Sequence, residues 1–154
     1  MWPARPGRTF RPLPARAFVI SQMTLRREHE QVMLEHVRRQ WPEEACGLLA
    51  GIDGHVERVY LIENMRHSRQ DYFMDPSQQV KAMLEIEAAG WEVASIFHSH
   101  PAGPLWPSTT DVDRAYYPDA VYLILAPAKG QAWEMRGFDI NAGQVREVPI
   151  KVAA

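Results

Sequence analysis

The sequence predicts a single α/β domain: one mixed β-sheet flanked by helices. Three observations carry that expectation. The chain has 154 residues, room for one proper core and not for two. Apolar residues make up 46% and charged residues 23%, the balance of an ordinary globular fold. Stretches of helical periodicity interleave with short apolar runs of strand length, and no internal repeat interrupts them.

The first 22 residues stand apart. They contain Arg5, Arg8, Arg11 and Arg16, no acidic residue, and four of the twelve prolines. With no apolar periodicity they are expected to form a disordered Arg/Pro-rich tail, and the folded domain is expected to span residues 23–154. No apolar segment of signal-peptide length follows the arginines, and the amphipathic pattern of a transit peptide is missing. Met23 would serve as a natural start.

From Thr24 the pattern is regular. Thr24 is expected to cap a helix whose apolar stripe includes Leu25, Val32, Met33 and Val37, closed by Pro42 after Trp41. Cys46 to Gly51 reads as a buried strand. Asp53-Gly54 is a hairpin turn, and Val56 to Ile62 is the return strand. A polar loop from Asn64 to Gln70 and a short strand at Tyr72–Met74 follow. Asp75 then caps a second helix with Pro76 at its first position, running to Gly90. Val93 to His98 is strand-like, and Pro101 to Pro107 is a loop, since so many prolines fit neither a helix nor a central strand. Ser108 caps a short helix ending before Pro118. Val121 to Ala126 is a fully buried strand, and strands near 132–140 and 144–152 complete the chain.

Several functions are excluded early. Lys and Arg total 17 against 19 Asp and Glu, a net charge of −2, so no general positive field draws nucleic acid. No apolar run approaches the ~18 residues of a membrane span. A single cysteine, Cys46, excludes an internal disulfide framework and a Cys-rich zinc finger, and reads as a small core residue.

The stretch that carries chemistry is Phe97-His-Ser-His-Pro101 followed by Ser108-Thr-Thr-Asp111. On a strand, residues i and i+2 share a face, so His98 and His100 project side by side while Ser99 points away. Asp111, in the first turn of the next helix, can supply a third ligand once the proline loop folds back. Two imidazoles, a carboxylate and an open fourth position describe a catalytic zinc site. The bland alternatives are a surface histidine pair and a capping box at Ser108–Asp111. A base for a metal-bound water is also needed. Glu44, at the entrance of a buried strand, is a candidate, but spacing alone does not separate it from a solvated Glu43–Glu44 loop pair.

Glu44, His98-Ser-His100-Pro101, six residues, and Ser108-x-x-Asp111 together resemble the JAMM motif of the MPN+ metalloproteases, complete at every signature position. Residues 42–49, Pro-Glu-Glu-Ala-Cys-Gly-Leu-Leu, are similar to the first strand of the family's prokaryotic members. The resemblance spans roughly Thr24 to Val152 and implies a single MPN (JAMM) domain of cytidine-deaminase-like fold. It further implies that His98, His100 and Asp111 bind one Zn²⁺, that Glu44 is general base and acid, and that Ser108 steadies the oxyanion. The expected enzyme is a cytoplasmic peptidase or isopeptidase. Its expected substrate is the C-terminal tail of a ubiquitin-like or sulfur-carrier (ThiS/MoaD-type) β-grasp protein, with no nucleic acid or membrane partner. Only nine residues separate Asp111 from Val121, without His or Cys, which argues against the insertions of deubiquitinating relatives that read chain linkage. Trp106, an indole in the loop between the ligands, is a candidate substrate contact.

Three other readings share part of this pattern. A zinc nucleoside deaminase needs H-x-E and P-C-x-x-C, which one cysteine excludes. A non-haem iron oxygenase shares the two-His, one-carboxylate set, and metal content distinguishes it. A non-catalytic MPN scaffold that only binds partners would be expected to have lost motif residues. His29 and His36 lie seven apart, not at the i, i+4 spacing of a helical zinc pair, and are expected to be partly buried helix positions.

Overall fold

Eight strands form one sheet in the computed structural model, which describes residues 20–128 and 132–154. In chain order the elements are β1 (Met23–Arg26), α1 (Arg27–Gln40), β2 (Cys46–Ile52), β3 (His55–Ile62), α2 (Pro76–Ala88), β4 (Glu92–Ser99), α3 (Thr109–Asp113), β5 (Val121–Pro127), β6 (Trp133–Asn141), β7 (Gln144–Val148) and β8 (Ile150–Ala153). The strands lie side by side as β7-β6-β5-β4-β2-β3-β1-β8. Three neighbouring pairs are parallel, β4 with β5, β1 with β3 and β1 with β8, and the others are antiparallel. The sheet is therefore mixed, as predicted.

The continuous apolar runs of the central strands follow from burial on both faces. Successive residues point to opposite sides, so Leu49, Phe97, Leu123 and Leu125 meet Met33 and Val37 of α1, while Leu48, Ile96, Tyr122 and Ile124 meet Ala82 and Ile86 of α2. Asp75 caps α2, accepting from the amides of Ser77 and Gln78 at 2.9 and 3.2 Å, with Pro76 at the first position. The β2–β3 hairpin turns on Asp53 and Gly54, both at positive φ, the conformation the Asp-Gly pair supplies.

Four sequence-based expectations are corrected. Thr24 does not cap a helix: Thr24 and Leu25 lie in β1, paired with Lys151 and Val152 of β8. The helix begins at Arg27, where the Arg26 amide donates to His29 Nδ1 at 3.1 Å, and Val32 is exposed rather than in the buried stripe. Tyr72–Met74 is not a strand but contributes a single bridge, Asn64 to Met74. The helix after Ser108, by contrast, ends before Pro118 as expected, at Asp113. The last expected strand is two, broken at Pro149. Because β7 and β8 lie at opposite edges yet are one residue apart in the chain, the sheet must curl until its edges approach. Gly137 on β6 makes room for this, since a Cβ there would fall 2.5 Å from Ile150 Cδ1.

Most of the expected tail, residues 1–19, lies outside the described residues. Of its last three, Ile20 packs against the α1-side core, and its carbonyl accepts from Arg146 Nη2 at 2.6 Å.

Candidate metal centre

The site is built by the register of β2 against β4. Cys46 pairs with His98 and Gly47 with Phe97, and beyond the named strand the Ser99 amide donates to the Ala45 carbonyl at 2.9 Å. One residue further, Glu44 falls opposite His100. In an antiparallel ladder opposed residues share a face, so Glu44, Cys46, His98 and His100 all project toward the α2 side. Ser99 points the other way, and its Oγ accepts from the Ala45 amide at 2.8 Å.

Three polar atoms converge there. His98 Nε2 and His100 Nε2 are 3.0 Å apart, and Asp111 Oδ2 lies 3.2 Å from the first and 3.0 Å from the second. The Glu44 carboxylate lies within 4.8 Å of both histidine nitrogens. Glu44 and His98 are almost fully buried, at 2% and 1% exposure, and His100 is buried too.

Each ligand-type residue is held from behind. His100 Nδ1 sits 2.8 Å from the Pro104 carbonyl, so it carries a proton, and in the neutral ring the lone pair is on Nε2; in the protonated ring Nε2 donates to Asp111. His98 Nδ1 has no hydrogen-bond partner among the described residues, so this ring's polar connection is through Nε2, on the cluster side. Tyr72 stacks on the His98 ring at 4.7 Å between centroids, fixing its plane. Asp111 is fixed by the full capping box of α3: Ser108 Oγ accepts from the Asp111 amide at 3.0 Å, and the Ser108 amide donates to Asp111 Oδ2 at 2.8 Å. The capping-box reading of Ser108–Asp111 is thus realised, and the same geometry turns Asp111 Oδ2 toward the two histidine nitrogens.

Electrostatics follow from burial and these contacts. Burial pushes the Glu44 carboxyl up to about 8, with Asp111 and Asp71 adding to the rise and His100 opposing it. Burial also lowers His98, against its hydrogen bond to Asp111. For His100, burial works downward, but the hydrogen bonds to Asp111 and the Pro104 carbonyl outweigh it and raise the ring. Burial would likewise raise Asp111, yet hydrogen bonds from His100 and His98 hold it well below the usual carboxylate range.

The donor chemistry suits a metal ion. With His100 protonated on Nδ1, and His98 either orphaning a buried nitrogen or facing the others with a lone pair, the cluster satisfies itself poorly. With both rings neutral, His98, His100 and Asp111 would offer three lone pairs to a dication. Two imidazole nitrogens and one carboxylate oxygen are the donor types of catalytic zinc.

The residues singled out in the sequence fare differently. Glu44, His98, His100 and Asp111 are brought together, and Ser108 is tied to Asp111. Glu43 turns away and meets His67 at 3.2 Å. Trp106 is 46% exposed, its ring edge-on to Phe138 at 5.1 Å, and it does not line the cavity beside Asp111. Cys46 is a core thiol donating to the Ile62 carbonyl, and burial pushes it up to about 12. His29 and His36 are helix residues, the latter 3.1 Å from the Cys46 carbonyl.

Sequence reasoning missed Tyr72 and Asn64. The buried Asn64 side chain donates to the carbonyls of Glu44 and Asp71, both at 3.0 Å, and accepts from the amides of Arg66 and Phe73. It thereby wraps the loop over 64–74 around the backbone of Glu44. Only the length of that polar loop hinted at such a role.

This fold, with its histidine pair, aspartate and buried glutamate at one end of the sheet, defines a domain of the JAB/MPN class. The chain belongs to the family described as prokaryotic homologs of the JAB domain, which matches residues 26–137. It is similar to the CysO-cysteine peptidase of Mycobacterium tuberculosis, 36% identical over 132 residues, covering 84% of this chain and 90% of that protein. It is similar also to a desampylase of Haloferax volcanii, 34% identical over 139 residues, 86% of this chain and 97% of the other. Among solved structures, a Desulfitobacterium hafniense protein studied in solution superposes with a TM-score of 0.77 at 38% identity, covering 86% of this chain and 93% of that one.

Proposed function

We propose that the chain is a zinc-dependent JAMM-type peptidase or isopeptidase that hydrolyses a bond at the C-terminal tail of a ubiquitin-like or sulfur-carrier β-grasp protein. One observation carries this reading: the nitrogens of His98 and His100 and an oxygen of Asp111 converge within 3.2 Å, beside a buried glutamate. The names of the relatives, a CysO-cysteine peptidase and a desampylase, support the substrate class. The same reading places the enzyme in the cytoplasm with its carrier; no helix among the described residues is long and apolar enough to cross a membrane.

His98, His100 and Asp111 would hold one zinc ion, which when bound supplies a Lewis acid for the scissile carbonyl and lowers the pKa of water to about 7. Glu44 takes the proton of the attacking water and delivers it to the leaving amine. Its elevated pKa near 8 suits a group that must both accept and release a proton at neutral pH. Ser108 Oγ uses a lone pair on the Asp111 amide and keeps its proton, which it donates to the oxygen where negative charge develops. Trp106, half-exposed on the loop between the ligands, contacts the incoming tail.

The test is to incubate the protein with sulfur-carrier proteins bearing C-terminal extensions and read the products by mass spectrometry. The expected result is loss of the extension alone, abolished by a chelator and restored by zinc. An intact carrier, or cleavage indifferent to the chelator, overturns the reading. Binding without cleavage is the behaviour of a scaffold.

A further inference from the structure

Beside the metal-ligand cluster, two guanidiniums share one carboxylate. Arg114 Nη1 lies 3.0 and 3.2 Å from the two oxygens of Asp71, and Arg66 Nη1 pairs with the same group. Arg114 follows Asp111 by three residues at the end of α3, and Asp71 immediately precedes Tyr72, the ring stacked on His98. Both arginine side chains are nearly half exposed, at 43% and 44%. They line a cavity of about 340 Å³ whose walls also include Asp111, Tyr72 and Phe73.

One arginine would suffice to brace the 64–74 loop against α3. Two cations on one anion leave a positive charge uncompensated, and most of their ten N–H donors have no role in the pairing. The planar fork of Arg fits a carboxylate, which it binds in bidentate fashion. The cavity lies at the small end of ligand pockets, large enough for one or two residues of peptide and too small for a folded domain. Asp111 and Tyr72 are among its walls, so a group seated in it lies beside one proposed metal ligand and the ring stacked on another.

Resting on the function proposed above, we infer that Arg66 and Arg114 bind the free α-carboxylate of a short leaving segment, so that the preferred substrate is a carrier tail extended by a single amino acid. An isopeptide-linked protein presents a lysine within a chain and offers no terminal carboxylate at that position. Arg66 and Arg114 are on this account specificity residues, and Asp71 holds them in place.

The experiment compares two substrates with the zinc-loaded full chain: a sulfur-carrier protein extended by one cysteine with a free carboxylate, and the same protein ending in the carboxamide. We expect the acid to be cleaved with kcat/KM about tenfold above the amide. In Arg114→Gln or Arg66→Gln that ratio should fall toward one. A purely structural brace would lower both rates together and leave the ratio unchanged. An acid-to-amide ratio near one in the wild type, or a ratio untouched by both substitutions, overturns the inference while leaving the peptidase reading intact. Failure of the wild type to cleave either substrate overturns the function itself, and the inference with it.

Discussion

The Ser99 hydroxyl accepts the Ala45 amide at 2.8 Å, and the Ser99 amide donates to the Ala45 carbonyl at 2.9 Å. This two-way clamp extends the β2–β4 ladder by one residue past Cys46 and His98. It puts Glu44 opposite His100. The residue between the two histidines, which faces away from the His98–His100–Asp111 cluster, therefore fixes where the glutamate sits.

Ser99→Ala leaves the buried Ala45 amide without its side-chain partner. Removing one partner of a buried hydrogen bond costs about 1–3 kcal/mol. Denaturant unfolding of the Ser99→Ala protein should show a loss in that range, with activity falling further than zinc content. Unchanged stability and activity would mean that the clamp does not position Glu44.

Much of this site was legible in the sequence because its parts are local. Residues i and i+2 of a strand share a face, and a capping residue sits three positions before Asp111, so the histidine pair and its third partner could be placed without knowing the fold. The position of Glu44 was not local. It depends on a register between segments 54 residues apart in the chain, and only the family resemblance chose it over Glu43. Thr24 and Leu25 read as the start of a helix because β1 owes its conformation to distant partners, β3 and above all β8 at the far end of the sequence. The single strand expected over 144–152 passes over Pro149, and no local feature tells that the chain after this proline returns to the opposite edge of the sheet. The Asp71–Arg114 pair, 43 residues apart, carried no sequence signal at all.

His98→Ala and Asp111→Ala each leave two of the three proposed protein ligands, and two rarely hold zinc firmly. Zinc measured by atomic absorption after gel filtration should drop to roughly a tenth of the wild-type content or less in both. Full zinc in either variant would remove that residue from the ligand set.

The metal-free protein offers a pH test of Glu44 itself. Its folded pKa of about 8 lies above the ordinary value of 4.5, so the folded state holds the proton more tightly than the unfolded chain. Its contribution to stability is complete below pH 4.5 and is lost as pH rises through about 8. Glu44→Gln, which stays neutral, should therefore be more stable than the wild type in chelator at pH 8, by up to about 4 kcal/mol. The difference should vanish near pH 4.5. Unfolding curves at the two pH values measure it directly, and a gap that does not change with pH would contradict the buried position of this carboxyl.

The most direct measurement is cleavage and zinc content in Glu44→Gln beside Glu43→Gln, on one carrier substrate. Glu44→Gln keeps the shape of the side chain but cannot act as a base. It should retain its zinc and lose about 10²–10⁴-fold in kcat, the usual worth of general-base assistance. Glu43 faces His67 instead, so its glutamine variant should stay within about threefold of the wild type, as expected of a carboxylate with no proton to move. Loss of zinc in Glu44→Gln would make Glu44 a ligand rather than the base. An active Glu44→Gln beside a dead Glu43→Gln would contradict the account outright.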